Sequence, residues 1–316
     1  MDLPFEPMLL SPAPAPFADP AWLYQVKWDG VRNLTLIDGG RIRHWSRRLR
    51  DRTALFPDLD GLVTHLPKSQ KLVLDGEIVV LRDGKPSFPA ILERDVGGQF
   101  DPRKLRTAPA TLILFDILEY GDRPLYTTPL EERLDLLARL LPEPGPSFQT
   151  AESFPGPSGP DLFAATTQQQ LEGVVAKRRA STYTPGLRTR DWLKIKRKQQ
   201  LLAVILGYTA PVGRPGGLLL GAHDPAGRLT YIGRVGSGIT AEQLRTLKAH
   251  LPPAPRPLAY EPTLRDRFSG PPGPVVWTEP RLTAIIEYTE WTEEQRLRDP
   301  VLIGFSTEPP QRAQLP

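Results

Sequence analysis

Two tight breaks, Asp29-Gly30 and Gly39-Gly40, cut residues 23–45 into apolar runs at 23–26, 34–37 and 42–45. Runs this short suit a strand but not a helix, and two-residue turns containing Gly reverse the chain, so the spacing predicts an antiparallel sheet. Residues 72–74 and 78–81 read as further strands about an Asp75-Gly76-Glu77 turn, and residues 111–118 as a strongly apolar central strand. Pro129 opens a helix with Leu130, Leu134, Leu137, Ala138 and Leu141 on one apolar stripe, and Glu131 and Glu132 near its N-terminus. Ahead of the sheet, the proline-rich residues 4–20 predict an extended arm laid on a domain, with order beginning at Trp22. Residues 142–160, dominated by Pro, Gly and Ser, predict a surface loop. A short helix over 161–171 and strands at 173–176 and 192–195 follow.

The composition shifts after Lys198, which places a domain junction within residues 197–202. Beyond it, strands at 203–208, 217–222, 229–235 and 284–289 and a helix over 240–251, with Thr240 as its N-cap, predict a small closed or partly closed barrel. The 37 Pro and 26 Gly fall without a period, which excludes collagen and predicts many turns. Cysteine is absent, so disulfides, thiolate metal sites and a thiol nucleophile are excluded, and four His give no credible zinc cluster. No stretch approaches the ~18–20 apolar residues needed to cross a bilayer. The acidic, proline-bearing start, residues 1–4, lacks a basic signal region, so a cytoplasmic location is expected. A net charge of +4, from 40 Lys and Arg against 36 Asp and Glu, permits a polyanionic partner without demonstrating one.

Three short segments carry candidate chemistry. Lys27-Trp28-Asp29-Gly30, followed by Arg32, ends an apolar strand at a Gly turn, which suits a restrained nitrogen nucleophile aimed at phosphorus; an ordinary surface lysine fits the same pattern. Asp75-Gly76-Glu77 directs a carboxylate into a pocket or makes a plain hairpin turn. Glu172-Gly173-Val174-Val175-Ala176-Lys177 places Glu172 off the apolar face, as an oxygen ligand for Mg²⁺ or an edge carboxylate. From Lys177 to Lys198 there are nine Lys or Arg against one Asp, a formal +8. Alternation puts Lys194 and Lys196 side by side, where their charges repel unless an anion such as a triphosphate lies between them.

These segments occur in the order found in ATP-dependent DNA ligases, members of the covalent nucleotidyltransferases, and the chain resembles them. Lys27 to Gly30 looks like their KxDG motif, Ser46-Arg47-Arg48 resembles the next element, and Asp75-Gly76-Glu77 fits motif III. Phe115-Asp116, Glu172 to Lys177 and Trp192 to Lys196 match motifs IIIa, IV and V. Tyr24 to Gly30, Tyr183-Thr184-Pro185-Gly186, Tyr288-Thr289-Glu290-Trp291 and Arg296 to Pro300 resemble the bacterial end-joining type most closely.

The resemblance implies an α+β fold: an antiparallel-sheet nucleotidyltransferase (ATP-grasp-like adenylation) domain over 1–198, followed by an OB-fold β-barrel domain over 199–316 with a short C-terminal tail. It implies an ATP-dependent DNA ligase using ATP and Mg²⁺ or Mn²⁺. Lys27 would be the nucleophile that becomes AMP-lysine, with Lys194 and Lys196 holding phosphates and assisting transfer. Gln25, Arg32, Arg47, Glu77, Phe115 and Lys177 would line the nucleotide site, Phe115 by stacking on adenine; Glu77 and Glu172 would hold the metal. Residues 41–52 carry six Arg and one Asp, and Arg41, Arg43, Arg47, Arg48 and Arg50 are expected along duplex phosphates beside a nick.

Two positions depart from the family pattern. Gln25 stands where close relatives have Glu, a residue associated with adenine contact. Arg48-Leu49 replaces the more usual Asn-Gly, and Leu does not take positive φ as readily as Gly. The implied partners are nicked duplex DNA and end-joining or repair proteins, without a membrane. A compact, stand-alone, monomeric ligase, nucleoid-associated during repair, is expected. An RNA ligase, a capping-type nucleotidyltransferase and an inactive nucleic-acid-binding relative are the competing readings.

Overall fold

The computed structural model describes residues 5–95, 100–210, 216–259, 262, 264, 274–292 and 294–315; residues 1–4, read above for a targeting signal, lie outside them. The chain is α+β and divides into two compact units, Met1–Arg197 and Lys198–Pro316.

In the first unit a seven-stranded sheet runs in the order Arg41–Ser46, Val31–Asp38, Leu72–Arg82, Ala110–Tyr120, Arg123–Pro124, with Lys85–Pro86 and Phe148–Thr150 added at its sides. Its first hairpin turns at Gly39 and Gly40, with φ of 55° and 74°, a backbone that side-chain-bearing residues resist and the right-handed twist of paired strands favours. Leu72–Arg82 is one unbroken strand, so Asp75-Gly76-Glu77 is not a turn. It is paired on both sides, with Val31–Asp38 and with Ala110–Tyr120, and continuous ladder bonding overrides the local preference of Asp-Gly. The irregularity passes to the neighbouring strand: Asp75 faces Asp116 and Gly76 faces Leu114, leaving Phe115 as a bulge.

A five-stranded sheet follows the order Leu9–Pro12, Arg188–Lys196, Gly173–Arg178, Trp22–Val26, Phe154–Pro155. The proline-rich arm therefore contributes a strand, paired parallel to Arg188–Lys196 at the sheet edge, where proline's missing donor is tolerated. Order begins well before Trp22, with Met8 fully buried. The region read as a loop contributes Phe148–Thr150, parallel to Ala110–Tyr120, and Phe154–Pro155, so neither sheet is purely antiparallel in plan: each carries one parallel pairing. The helix Leu130–Leu140 buries Leu130 and Leu137 as its stripe predicts, and Arg133 between them, whose guanidinium grips the fully buried Asp116 at 2.7 and 2.8 Å.

The second unit is built on Gln199–Thr209, flanked by Leu218–His223 and Leu229–Val235 on one side and by Thr283–Tyr288 and Val301–Ser306 on the other, with Val275–Trp277 also paired to the central strand. Ala203, Ile205, Leu220, Ile232 and Ile286 form its core. Thr240 caps the helix Ala241–His250 in a reciprocal box with Gln243. Of the two forms expected, the barrel is the partly closed one: among the described residues, the sheet's two ends meet at the isolated parallel bridge Ser237–Val301. No helix among the described residues is long and apolar enough to cross a membrane.

Candidate active site

Strand register gathers the candidate residues on one face of the smaller sheet. Gln25 lies opposite Val175 and Leu23 opposite Lys177; Val175 and Lys177 in turn face Lys194 and Trp192. Because side chains alternate along a strand, Leu23, Gln25 and Lys27 share a face with Val175 and Lys177 and with Trp192, Lys194 and Lys196. Lys27 follows the strand end, yet its N–H still donates to the Gly173 carbonyl at 2.9 Å. Gly173 permits this geometry: its φ is 138°, and a Cβ there would collide with the Ile195 carbonyl.

Glu172 bridges two lysines. Lys27 Nζ donates to Oε2 at 2.5 Å, and Lys196 Nζ pairs with Oε1 at 2.9 Å. Burial pushes the Glu172 carboxyl up, but the two ammonium groups outweigh it and hold the group below the usual carboxylate range. For Lys27 and Lys196 the compensating anion is thus supplied by the protein itself. Lys194, half-buried, is lowered by desolvation and then by Lys196 and Lys27.

The larger sheet supplies Arg32, Asp75, Glu77 and Phe115. Arg32 stands across the ladder from Glu77 and grips Asp75 through Nε and Nη2, both at 2.6 Å. Asp75 is fully buried and also accepts from the Tyr183 hydroxyl at 2.6 Å; that hydroxyl oxygen accepts the Met8 N–H at 3.0 Å. Burial opposes the Arg32 charge, but Asp75 outweighs it and raises the guanidinium. Burial pushes Glu77 up to about 7 against the pull of Lys27 and Arg32.

The bulge at Phe115 frees its side chain from the strand's alternation. Its ring centroid lies 4.6 Å from the Arg32 guanidinium and 4.4 Å from Lys177 Nζ. Lys177 is buried, donates to the Phe115 carbonyl at 3.2 Å and sits 4.1 Å from the Trp192 ring; desolvation lowers it to about 7. Gln25, also buried, donates through Nε2 to Ser153 Oγ at 3.0 Å.

Lys27, Gln25, Arg32, Glu77, Phe115, Glu172, Lys177, Lys194 and Lys196 therefore belong to two facing sets of strands joined by direct contacts. The arginines lie elsewhere, on Arg41–Ser46 and the turn after it. Arg41, Arg47, Arg48 and Arg50 are exposed, while Arg43 stacks 4.8 Å from the Trp45 ring and pairs with Asp51 at 3.0 Å. Arg52, counted in this basic segment from sequence, is buried and paired with Asp95 at 3.0 Å. Sequence reasoning missed the support of Arg32 by Asp75 and Tyr183, although both partners fall within quoted motifs. It also missed Ser153, for which no local signal exists.

Residues 7–196 match the ATP dependent DNA ligase domain, and residues 212–308 the ATP dependent DNA ligase C terminal region. The chain belongs to the ATP-dependent DNA ligase family. It is 36% identical over 285 residues to the multifunctional non-homologous end joining protein LigD of Mycobacterium bovis, and 33% identical over 302 residues to its counterpart in Pseudomonas aeruginosa. These alignments cover 88% and 92% of this chain but 35% and 34% of the relatives, so the chain spans roughly a third of their length. Among solved structures, mycobacterial DNA ligase D complexed with ATP and MES gives a TM-score of 0.55 at 33% identity, covering 98% of this chain and 97% of that one. The ligase domain of M. tuberculosis LigD gives 0.55 at 32% identity.

Proposed function

We propose that this chain is an ATP-dependent DNA ligase that seals 5′-phosphate/3′-hydroxyl nicks in duplex DNA through lysyl-AMP and DNA-adenylate. Residues 1–198 act as its adenylation domain and residues 199–316 as its OB-fold domain. The observation that carries this reading is the Glu172 carboxylate holding Lys27 and Lys196 on the strand face that also bears Lys194. The similarity to a ligase solved with ATP supports the choice of nucleotide.

Lys27 Nζ attacks the α-phosphorus of ATP. The N–P bond forms, the bond to the pyrophosphate oxygen breaks, and Nζ loses a proton, for which Glu172 Oε2 is the acceptor already in contact. Lys194 and Lys196 stabilise phosphate charge as pyrophosphate leaves, and again when the 5′-phosphate of the nick displaces Lys27 from the adenylate. The 3′-hydroxyl then attacks that 5′-phosphorus and AMP departs. Phe115 stacks on the base, Gln25 meets its edge, and Arg32 and Lys177 complete the nucleotide's surroundings.

Among the described residues no three acidic or His side chains converge on one point. Glu77 and Glu172 are the carboxylates that would hold a cation of the Mg²⁺ or Mn²⁺ type, a class of ion bound through one or two carboxylates. Such an ion would supply charge neutralisation at the phosphates. Arg41, Arg43, Arg47, Arg48 and Arg50 follow the duplex backbone, and the protein acts as a cytoplasmic monomer alongside end-joining or repair proteins.

Incubation with ATP and divalent metal should add one AMP to the protein mass, located at Lys27, and the charged protein should seal a nicked duplex. Lys27→Ala should bind the duplex and acquire no nucleotide. An AMP adduct on that variant, or no adduct on folded wild-type protein, overturns the reading.

A further inference from the structure

The turn that follows Arg41–Ser46 is closed upon a single serine. Ser46 N–H donates to the Arg50 carbonyl at 2.9 Å, the Arg50 N–H donates to Ser46 Oγ at 3.0 Å, and the Leu49 N–H donates to the Ser46 carbonyl at 2.9 Å. Arg47, Arg48 and Arg50 are exposed around this turn, whereas Leu49 is partly buried and packs against the apolar cluster containing Trp45, Tyr183 and Trp192. Phe115 packs against the same cluster.

Leu49 does this in the left-handed region, at φ 56°, where its Cβ crowds the following carbonyl and glycine would sit without strain. A three-residue hairpin loop closes through a left-handed residue at this position, a need that glycine would meet, and leucine adds a side chain that the apolar cluster receives. Three arginines within four residues also repel one another, so a turn free to open would spread them.

We propose that Leu49 is a positioning residue for DNA: its inward side chain pins the turn and presents Arg47, Arg48 and Arg50 together as a preformed edge for backbone phosphates. The assignment rests on the DNA-ligase reading above and adds to it a residue with no charge and no contact of its own to nucleic acid. Because the pin enters the cluster that also packs Phe115, the phosphate-binding edge is anchored to the back of the nucleotide site.

The test measures nicked-duplex affinity across a salt series, together with AMP transfer to Lys27 in the absence of DNA, for wild type, Leu49→Gly, Leu49→Asn and Leu49→Met. Glycine and asparagine both accept the left-handed backbone but remove the apolar anchor, while methionine keeps it. Leu49→Gly and Leu49→Asn should bind the nick roughly tenfold more weakly, with a shallower dependence on salt, while AMP transfer stays within about twofold of wild type. Leu49→Met should retain most of the affinity. Thermal unfolding of each variant identifies any that fails to fold, and the pair of replacements keeps the comparison available if one does. Wild-type affinity and salt slope in both folded Gly and Asn variants overturn the role of Leu49. Salt-insensitive binding by wild type would instead defeat the assignment of the arginines to DNA, a separate failure.

Discussion

Lys27 Nζ and Glu172 Oε2 lie 2.5 Å apart although 145 positions separate them in the chain. The same carboxylate holds Lys196, so two ammonium groups on this strand face share one anion. Glu172→Gln leaves both ammonium groups without their anion and removes the acceptor in contact with the departing proton. The rate of AMP transfer to Lys27 should fall about 10²–10³-fold, as for loss of an oriented charge-stabilising group. Single-turnover mass measurements check this; a rate within threefold of wild type would count against the role of Glu172.

Glu77 and Lys177 predict an unusual pH profile of stability. Burial raises Glu77 from 4.5 to about 7 and lowers Lys177 from 10.5 to about 7. Between pH 4.5 and 7 the folded chain keeps a proton on Glu77 that the unfolded chain has lost, so this group's stabilisation disappears as pH rises. Between pH 7 and 10.5 the unfolded chain keeps a proton on Lys177 that the folded chain has lost, so stability rises with pH. Thermal unfolding should show the acid-side fall removed by Glu77→Gln and the alkaline-side rise removed by Lys177→Met. Parallel profiles for wild type and both variants would refute the two assignments.

The buried pair of Arg133 and Asp116 predicts a non-additive double mutant. Arg133→Met should cost about 3–5 kcal/mol because it strands a carboxylate in the core, while adding Asp116→Leu should recover part of that loss. Denaturant unfolding of the four proteins gives the coupling directly. Additive losses would show that the two groups act independently.

At Gly173 the backbone conformation and the space beside it forbid a side chain. Gly173→Ala should separate the Gly173–Arg178 strand from Arg188–Lys196 at the end where Lys196 meets Glu172. Both AMP transfer and thermal stability should decline, with more than a tenfold loss of transfer rate from a displacement of about 1 Å. Retention of wild-type rate and stability would show that the strands accommodate the methyl group.

The Gly39-Gly40 hairpin and the Leu130–Leu140 stripe were legible because each depends on local spacing, whereas the Lys27, Glu172 and Lys194–Lys196 segments stood out through the order in which they resemble the family's motifs. What escaped depends on distant chain. Asp75-Gly76 has the composition of a turn, and only pairing on both flanks keeps it extended. Leu9–Pro12 becomes a strand through a parallel partner far along the sequence, and proline content gives no hint of that partner. Arg133 looks like a solvent-facing charge until Asp116 meets it. The misfit of Leu49 with positive φ was visible in sequence; that the turn keeps the conformation regardless, because an apolar cluster receives the side chain, was not.

The parallel seam between Leu9–Pro12 and Arg188–Lys196 also bears on synthesis. Strands made first wait for the last ones, since Ser11 pairs with Leu193 and Pro12 with Lys194. A nascent chain on the ribosome can form the early hairpin long before it owns Glu172 or the phosphate-holding lysines. On the proposed mechanism Lys27 thus emerges into a half-made protein unable to charge it, and nucleotide loading would be a mark of a finished fold.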